Sequence, residues 1–244
     1  MHIDTAALQD SLERIRSTPQ ETDLVTAMGR IIAAVNALFD YDGAGVMFVD
    51  DAGALRYVAS TDEIGRALEE AQLAAGQGPC VDTYLHNRVV SSKDVHSDAR
   101  WQELPKHLDR RVQAVAGAPI RLGGGPVGTL NVYRSTAQEW DSSDTDALMA
   151  YTALVGEILA TAVAARDHSV LAGQLQYALD YRVIIERAIG FVMGRDGLDA
   201  GDAFQYLRAE ARNQRRRVAD LAAELLGDPT TPPPPPQPAA GGSL

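Results

Sequence analysis

The chain of 244 residues is long enough for one or two domains with a sizeable core, and 45% of it is hydrophobic. Its net charge of -11 argues against non-specific binding to nucleic acid or anionic membrane, while leaving room for a local basic site. A single cysteine, Cys80, excludes an internal disulfide framework and a paired-thiol redox cycle within one chain.

The N-terminal stretch MHIDTAALQDSLERIR is charged and amphipathic and has no signal-peptide core. No uninterrupted apolar run approaches the roughly 20 residues that a membrane helix needs, so a cytoplasmic location is expected. Residues 1–19 are read as an N-terminal helix. In residues 20–39, Leu24, Met28, Ile31, Ile32, Val35 and Leu38 form one stripe at helical spacing.

The period then changes. AGVMFVDDAGALRYVAST contains two β-rich runs around Asp-Asp-Ala-Gly, which is a hairpin signal. RVVSSKDV, VAGAPIRLGG and GPVGTLNVYRS read as three further strands, the last two joined by a glycine-rich turn at Gly123 to Pro126. DEIGRALEEAQLAAGQGPC and DARWQELPKHLDRR supply short helices and loops between them. The fold class is α+β: an antiparallel five-stranded sheet with flanking helices over residues 20–165, joined by a long helix to a small three-helix bundle.

From Asp144 to Gly194 there is no proline, and glycine occurs only at 156, 173, 190 and 194. Leu171, Leu175, Ala178, Arg182, Ile185, Ile189 and Val192 alternate spacings of four and three, the pattern of a two-helix seam between chains. An earlier stripe of Leu148, Val155 and Ala162 is in another phase, with a slip near Arg166–Ser169. A helix on its own domain gives the same pattern without a dimer. Gly190 and Gly194 each cost a helix interior about 1 kcal/mol relative to alanine, and close helix packing is the expected reason for them. Asp196-Gly197 stops this helix. Asp199 is placed to cap the next one, which carries Ala203, Phe204, Leu207 and Ala211 on one face, and VADLAAELL forms a last short helix. Residues 228–244, with their proline run, cannot build a core and are expected to be a disordered tail.

Signals for an enzyme are poor. His2, His86, His96, His107 and His168 are scattered, with no metal-ligand spacing to Cys80. GGGP lacks the lysine and hydroxyl of a phosphate loop. Cys80 has two readings: a thiol activated by a helix start, or a small apolar core residue. Trp101 and Trp140 read as core or wall aromatics. No catalytic residue and no metal are expected. The arginines say more. Between Phe204 and Val218 there are five against one acid, Glu210, a local net of +4 on an acidic chain. Arg208, Arg212 and Arg215 share one stripe, and a phosphate-contacting surface and a solvated face both fit them.

The stretch from Tyr181 to Leu226 resembles the ANTAR domain, an RNA-binding module of bacterial antiterminators. The matching residues are Ile185-Glu186, Ala188, Gly190, Met193, Ala203-Phe204, Leu207-Arg208, Ala211 and Asp220-Leu221-Ala222. Many members have Ala-Lys-Gly where this chain has Ala188-Ile189-Gly190, which removes one cation from the RNA-facing set. Residues 20–165 look like a GAF domain, the small-molecule sensing fold, through EEAQ…GQGPCVDT, RWQELP and GAPIRLGGGPVGTLNVY. The resemblance implies a GAF–ANTAR regulator with a sensor at 20–165 and a signalling helix and RNA-binding domain at 166–227. It implies paired RNA hairpins as the target and a small-molecule ligand that it does not identify; Cys80 and Tyr84 are the candidate pocket residues, and the seam at 171–192 points to a homodimer. Arg208, Arg212, Arg215 and Arg216 are the expected RNA contacts, with Gln214 and Arg217 beside them, and Ala188, Gly190 and Gly194 the expected packing residues. Two rivals are a module that only dimerises or docks a protein, and a redox enzyme on the GAF fold. The single cysteine counts against the second.

Overall fold

The computed structural model describes residues 3–17, 24–39, 41–50, 53–123, 125–164 and 170–227; in the last segment, side chains are described at 181 and from 183 onward. The chain divides into two compact units, Met1–Phe48 with Leu55–Ala160, and Val49–Ala54 with Thr161–Leu244.

The first unit opens with helices α1 (Thr5–Ser17) and α2 (Leu24–Phe39). The stripe on α2 is buried at Leu24, Met28, Ile31, Ile32 and Val35, and Phe39 rather than Leu38 completes it. Strands β1 (Gly43–Val49), β2 (Leu55–Ser60), β3 (Val90–Ser92), β4 (Ala114–Leu122) and β5 (Gly125–Arg134) form one sheet in the order β2-β1-β5-β4-β3. β5 is central and pairs antiparallel with both β1 and β4. Every residue of β1 is buried, and so are nine of the ten in β5. Neighbouring positions of opposite parity are therefore both covered, which accounts for near-continuous apolar runs in place of alternation.

Helices α3 (Glu63–Ala75) and α4 (Pro79–His86) connect β2 to β3, and a single 3-10 turn, Leu104–Lys106, lies in the β3–β4 connection. Asp62 caps α3 through Gly65 N–H at 2.7 Å, and Pro79 opens α4 at a position whose missing N–H costs nothing. Helix α5 (Ser142–Ala164) starts on a reciprocal cap. Asp144 N–H donates to Asp141 Oδ1 at 3.0 Å, and Asp141 N–H donates to Asp144 Oδ2 at 3.1 Å. Asp144 also takes the Arg134 guanidinium at 3.1 Å and the Tyr41 hydroxyl at 3.0 Å, tying the helix start to the end of β5. A Cβ at Gly156 would lie 2.6 Å from the Arg121 carbonyl oxygen, so glycine lets α5 lie directly on β4. Among the described residues α5 is the one helix long and apolar enough to cross a membrane. Leu148, Tyr151, Val155 and Leu159 are at zero exposure, as in a core helix.

The second unit is helical. Helices α6 (Val170–Asp196), α7 (Ala200–Asn213) and α8 (Val218–Leu226) pack together around Tyr181, Ala188, Val192, Phe204, Leu207, Val218 and Ala219, all buried. Gly197, at a φ of 69°, ends α6, and Asp199 caps α7 by accepting from Asp202 N–H at 2.9 Å. Ile185 packs against Tyr181 and Ala219, so this position of the expected seam is partly covered by its own chain. The side chains of Leu171, Leu175, Ala178 and Arg182, the slip at 166–169 and the tail at 228–244 lie outside the described residues.

Candidate functional sites

In the sensor unit, the register puts Asn131 of β5 opposite Gly45 on one side and Gly117 on the other. With no side chains beside it in that row, Asn131 has room, and the space is filled by polar groups from α3 and α4. Asn131 Nδ2 donates to Glu69 Oε1 at 2.8 Å and to Thr129 Oγ1 at 3.1 Å. Gln72 Nε2 donates to Glu69 Oε2 at 3.1 Å, and its own Oε1 accepts from Cys80 N–H at 2.8 Å. Thr83 Oγ1 donates to the Gly117 carbonyl at 3.1 Å. Glu69, Gln72, Thr83 and Thr129 are all at zero exposure. The glycines are fitted to these groups: a Cβ at Gly45 would lie 2.8 Å from Glu69 Oε1, one at Gly78 2.6 Å from Gln72 Oε1, and one at Gly117 2.7 Å from Asn131 Oδ1.

Two consequences follow for the chemistry. Burial raises the Glu69 carboxyl from its ordinary range to about 7, partly offset by the hydrogen bonds from Asn131 and Cys80. Asn131 Oδ1 is buried with no hydrogen-bond partner. Cys80 sits in this cluster, at zero exposure, with its Sγ 3.2 Å from Met47 Sδ. Desolvation, followed by the neighbouring Glu69 charge, pushes its thiol well above the usual range. Of the two readings of Cys80, the small buried core residue is the one its surroundings fit. It lies at the start of α4, but burial outweighs the favourable end of an eight-residue helix. Tyr84, the other expected pocket residue, is half-buried against the same cluster of Met47, Leu55 and Cys80. Glu69, Gln72 and Asn131 were missed from sequence because polar residues on amphipathic elements read as solvent-facing. The signal that could have found them is the glycine at each neighbouring position. Trp101 is a core aromatic whose Nε1 donates to Asp82 at 2.9 Å, and Trp140 Nε1 donates to the Ser92 carbonyl at 2.9 Å.

In the helical unit the expected RNA residues separate into two kinds. Arg217 Nη2 and Nε hold both Asp220 oxygens at 2.7 Å, with the guanidinium 5.8 Å from the Tyr181 ring centroid. Arg216 pairs with Glu224. These two join the α7–α8 connection to α8 and are in part structural. Gln214 Nε2 is engaged by Glu210 at 2.6 Å. Arg208 is half-buried, with its guanidinium carbon 5.9 Å from the Phe204 ring centroid. Arg212 and Arg215 are exposed, and neither forms an ion pair among the described residues.

Arg215 is also conformationally unusual, with a φ of 54°. Arg216 N–H donates to the Ala211 carbonyl at 2.8 Å, and Arg215 N–H to the Arg212 carbonyl at 3.0 Å. This pair of bonds is the Schellman arrangement at the end of α7, with Arg215 at the left-handed position that glycine usually fills. A side chain there costs roughly 1–2 kcal/mol.

The three expected packing residues of α6 differ in their surroundings. Ala188 is fully buried, but a Cβ at Gly190 or Gly194 would meet nothing within 4 Å. Both lie on the exposed side of the helix, and no described residue packs against them.

A GAF domain model matches residues 21–160 and an ANTAR domain model matches residues 173–226. The GAF match spans more than half of the chain: this is a GAF-domain protein with a C-terminal ANTAR domain. The architecture is that of a signal-sensing regulator of transcription antitermination that acts through RNA. No curated protein sequence matches the chain. Among solved structures it resembles the GAF domain of a phosphoenolpyruvate-protein phosphotransferase from Coxiella burnetii, at 14% identity and a TM-score of 0.54, over 66% of this chain and 95% of that one. The corresponding GAF domain from Acinetobacter matches at 16% identity and a TM-score of 0.53, over 65% and 93%. Free methionine-R-sulfoxide reductase from Neisseria meningitidis matches at 16% identity and 0.50, over 62% and 85%. At such identities these likenesses establish the fold alone.

Proposed function

We propose that the chain is a ligand-responsive antitermination regulator whose C-terminal unit binds paired RNA hairpins through Arg208, Arg212 and Arg215. The observation that carries this reading is Arg215. An exposed arginine with no acidic partner among the described residues occupies a left-handed position where glycine is cheapest, and local strain of this kind concentrates at functional sites. Arg212 is exposed one turn earlier. A planar guanidinium both pairs with phosphate and stacks on an unpaired base, which suits hairpin loops better than duplex RNA. Arg216 and Arg217 set the loop that carries Arg215. Two hairpins require two such surfaces, which a homodimer in the cytoplasm supplies. The GAF unit supplies the regulatory input through a small molecule bound near Cys80 and Tyr84. An enzymatic role is disfavoured, since the lone thiol is buried and holds its proton.

The test is Arg215→Gly. Removing the strained side chain should stabilise the unit by about 1 kcal/mol. It should also weaken hairpin binding and flatten the salt dependence by about one phosphate contact. Thermal unfolding and filter binding at two salt concentrations read the two effects, which have opposite signs. A variant that is stabilised and binds RNA as the parent does would remove Arg215 from the interface.

A further inference from the structure

The last two turns of α6 carry Arg187, Phe191 and Arg195 at intervals of four, a single stripe on one flank of the helix. Tyr206 of α7 meets that stripe. The Arg195 guanidinium carbon lies 5.8 Å from the Phe191 ring centroid and 5.3 Å from that of Tyr206. Asp196 holds it in place, accepting from Nε at 2.7 Å and from Nη2 at 2.5 Å. The two rings are nonetheless open to solvent, Phe191 at 44% and Tyr206 at 38%. Beside them on α6 lie Gly190 and Gly194, where a side chain would meet nothing.

We infer that Phe191, Arg195 and Tyr206 form a stacking site for an unpaired nucleobase of the bound RNA, separate from the arginine flank of α7. The site rests on the RNA reading above and extends it to a second contact surface. A fixed guanidinium between two exposed rings presents π faces and N–H donors together, the chemistry that a splayed-out base accepts on its face and its edge. Arg187, exposed one turn before Phe191, adds positive charge toward the flanking phosphate. The glycines then have a role that internal packing does not give them. Two helical positions without side chains clear the approach to the ring of Phe191, at a cost in helix propensity that no described neighbour offsets. A contact with a second copy of the chain is the rival occupant, since Phe, Tyr and Arg are also enriched at protein interfaces, and sedimentation separates the two.

The experiment uses the full chain and a two-hairpin RNA that it selects from a loop-randomised pool. Tyr206→Ala and Phe191→Ala should each weaken that RNA about tenfold or more, the scale of one lost base–aromatic stack, while Tyr206→Phe binds like the parent. With 2-aminopurine scanned through the loops, one position should be quenched by the parent and not by Tyr206→Ala. Removing the base at that position should cost the parent as much as the substitution does, and cost Tyr206→Ala nothing further. Parent-like affinity and quenching in both alanine variants, with Arg212→Ala still impaired, overturns the stacking site and leaves the RNA reading standing. Failure of the parent to select any RNA overturns both. A change in sedimentation of Tyr206→Ala without a change in loop quenching overturns it in favour of a contact between chains.

Discussion

Glycine does opposite work in the two units. In the sensor, Gly45, Gly78, Gly117, Gly128 and Gly156 are each pressed against another atom, so that any side chain would collide. In the helical unit, a Cβ at Gly190 or Gly194 would meet nothing within 4 Å among the described residues. The first set is fitted to what is already inside the fold, and the second has no such neighbour among the described residues. Polar groups divide in the same way. The sensor hides Glu69, Gln72, Thr83, Thr129 and Asn131 under its helices, whereas the helical unit sets Arg212 and Arg215 on its surface. A unit that buries polar chemistry suits the reception of a small molecule, and one that displays cations suits a polyanion.

The sharpest way to break the contrast is at Gly128, where a Cβ would lie 2.2 Å from the Met47 carbonyl oxygen on the paired strand. Backbone cannot yield as a flexible side chain can. Gly128→Ala should destabilise the sensor toward the upper end of about 1–3 kcal/mol, read by chemical denaturation. If the unfolding midpoint stays at the parent value, the close approach of β1 and β5 is wrong.

A second test concerns Glu69. Its folded value of about 7 stands above the ordinary 4.5, so the folded state holds the proton more tightly than the unfolded chain does. The stability from the neutral carboxyl is fully present below pH 4.5 and is lost as pH rises through about 7. Over that window the loss is on the order of 3 kcal/mol. Glu69→Gln removes the titration, and its thermal midpoint should vary less between pH 5 and pH 8 than that of the parent. Cys80, the other titratable group in the cluster, stays protonated throughout this range. Parallel pH profiles for the two proteins would show that Glu69 reaches solvent.

Much of this was legible in the sequence, and the misses share a cause. The strands, the stripe on α2, the Asp199 cap and the stop at Gly197 follow from local chemistry that a window of ten residues contains. The buried polar cluster does not, because it depends on which strands adjoin. Asn131 has room only because β1 and β4 both present glycine in its row. Arg215 was found as a charge, but its left-handed backbone was not, since arginine carries no signal for that conformation. Gly190 and Gly194 stand out in the sequence as anomalies, and among the described residues nothing packs against them. The spacing of four puts both on one side of α6, and only the packing of α7 and α8 decides whether that side is inside or out.

Gly190→Ala gives the smallest expected effect and separates the two uses of glycine most directly. In the sensor, alanine at a close-packed glycine destabilises. At Gly190 the added methyl group meets nothing, and the gain in helix propensity should raise stability by up to about 1 kcal/mol. A residue that costs stability and meets no described neighbour is kept either by chance or by what comes from outside. The two alternatives differ in one measurement. If the glycine clears the approach to Phe191, Gly190→Ala should be more stable than the parent and bind the selected RNA more weakly, with a larger loss for Gly190→Leu. If it is there by chance, both variants should gain stability and bind as the parent does. A loss of stability in Gly190→Ala would mean that a second chain covers this flank of α6, which sedimentation of the variant beside the parent would show.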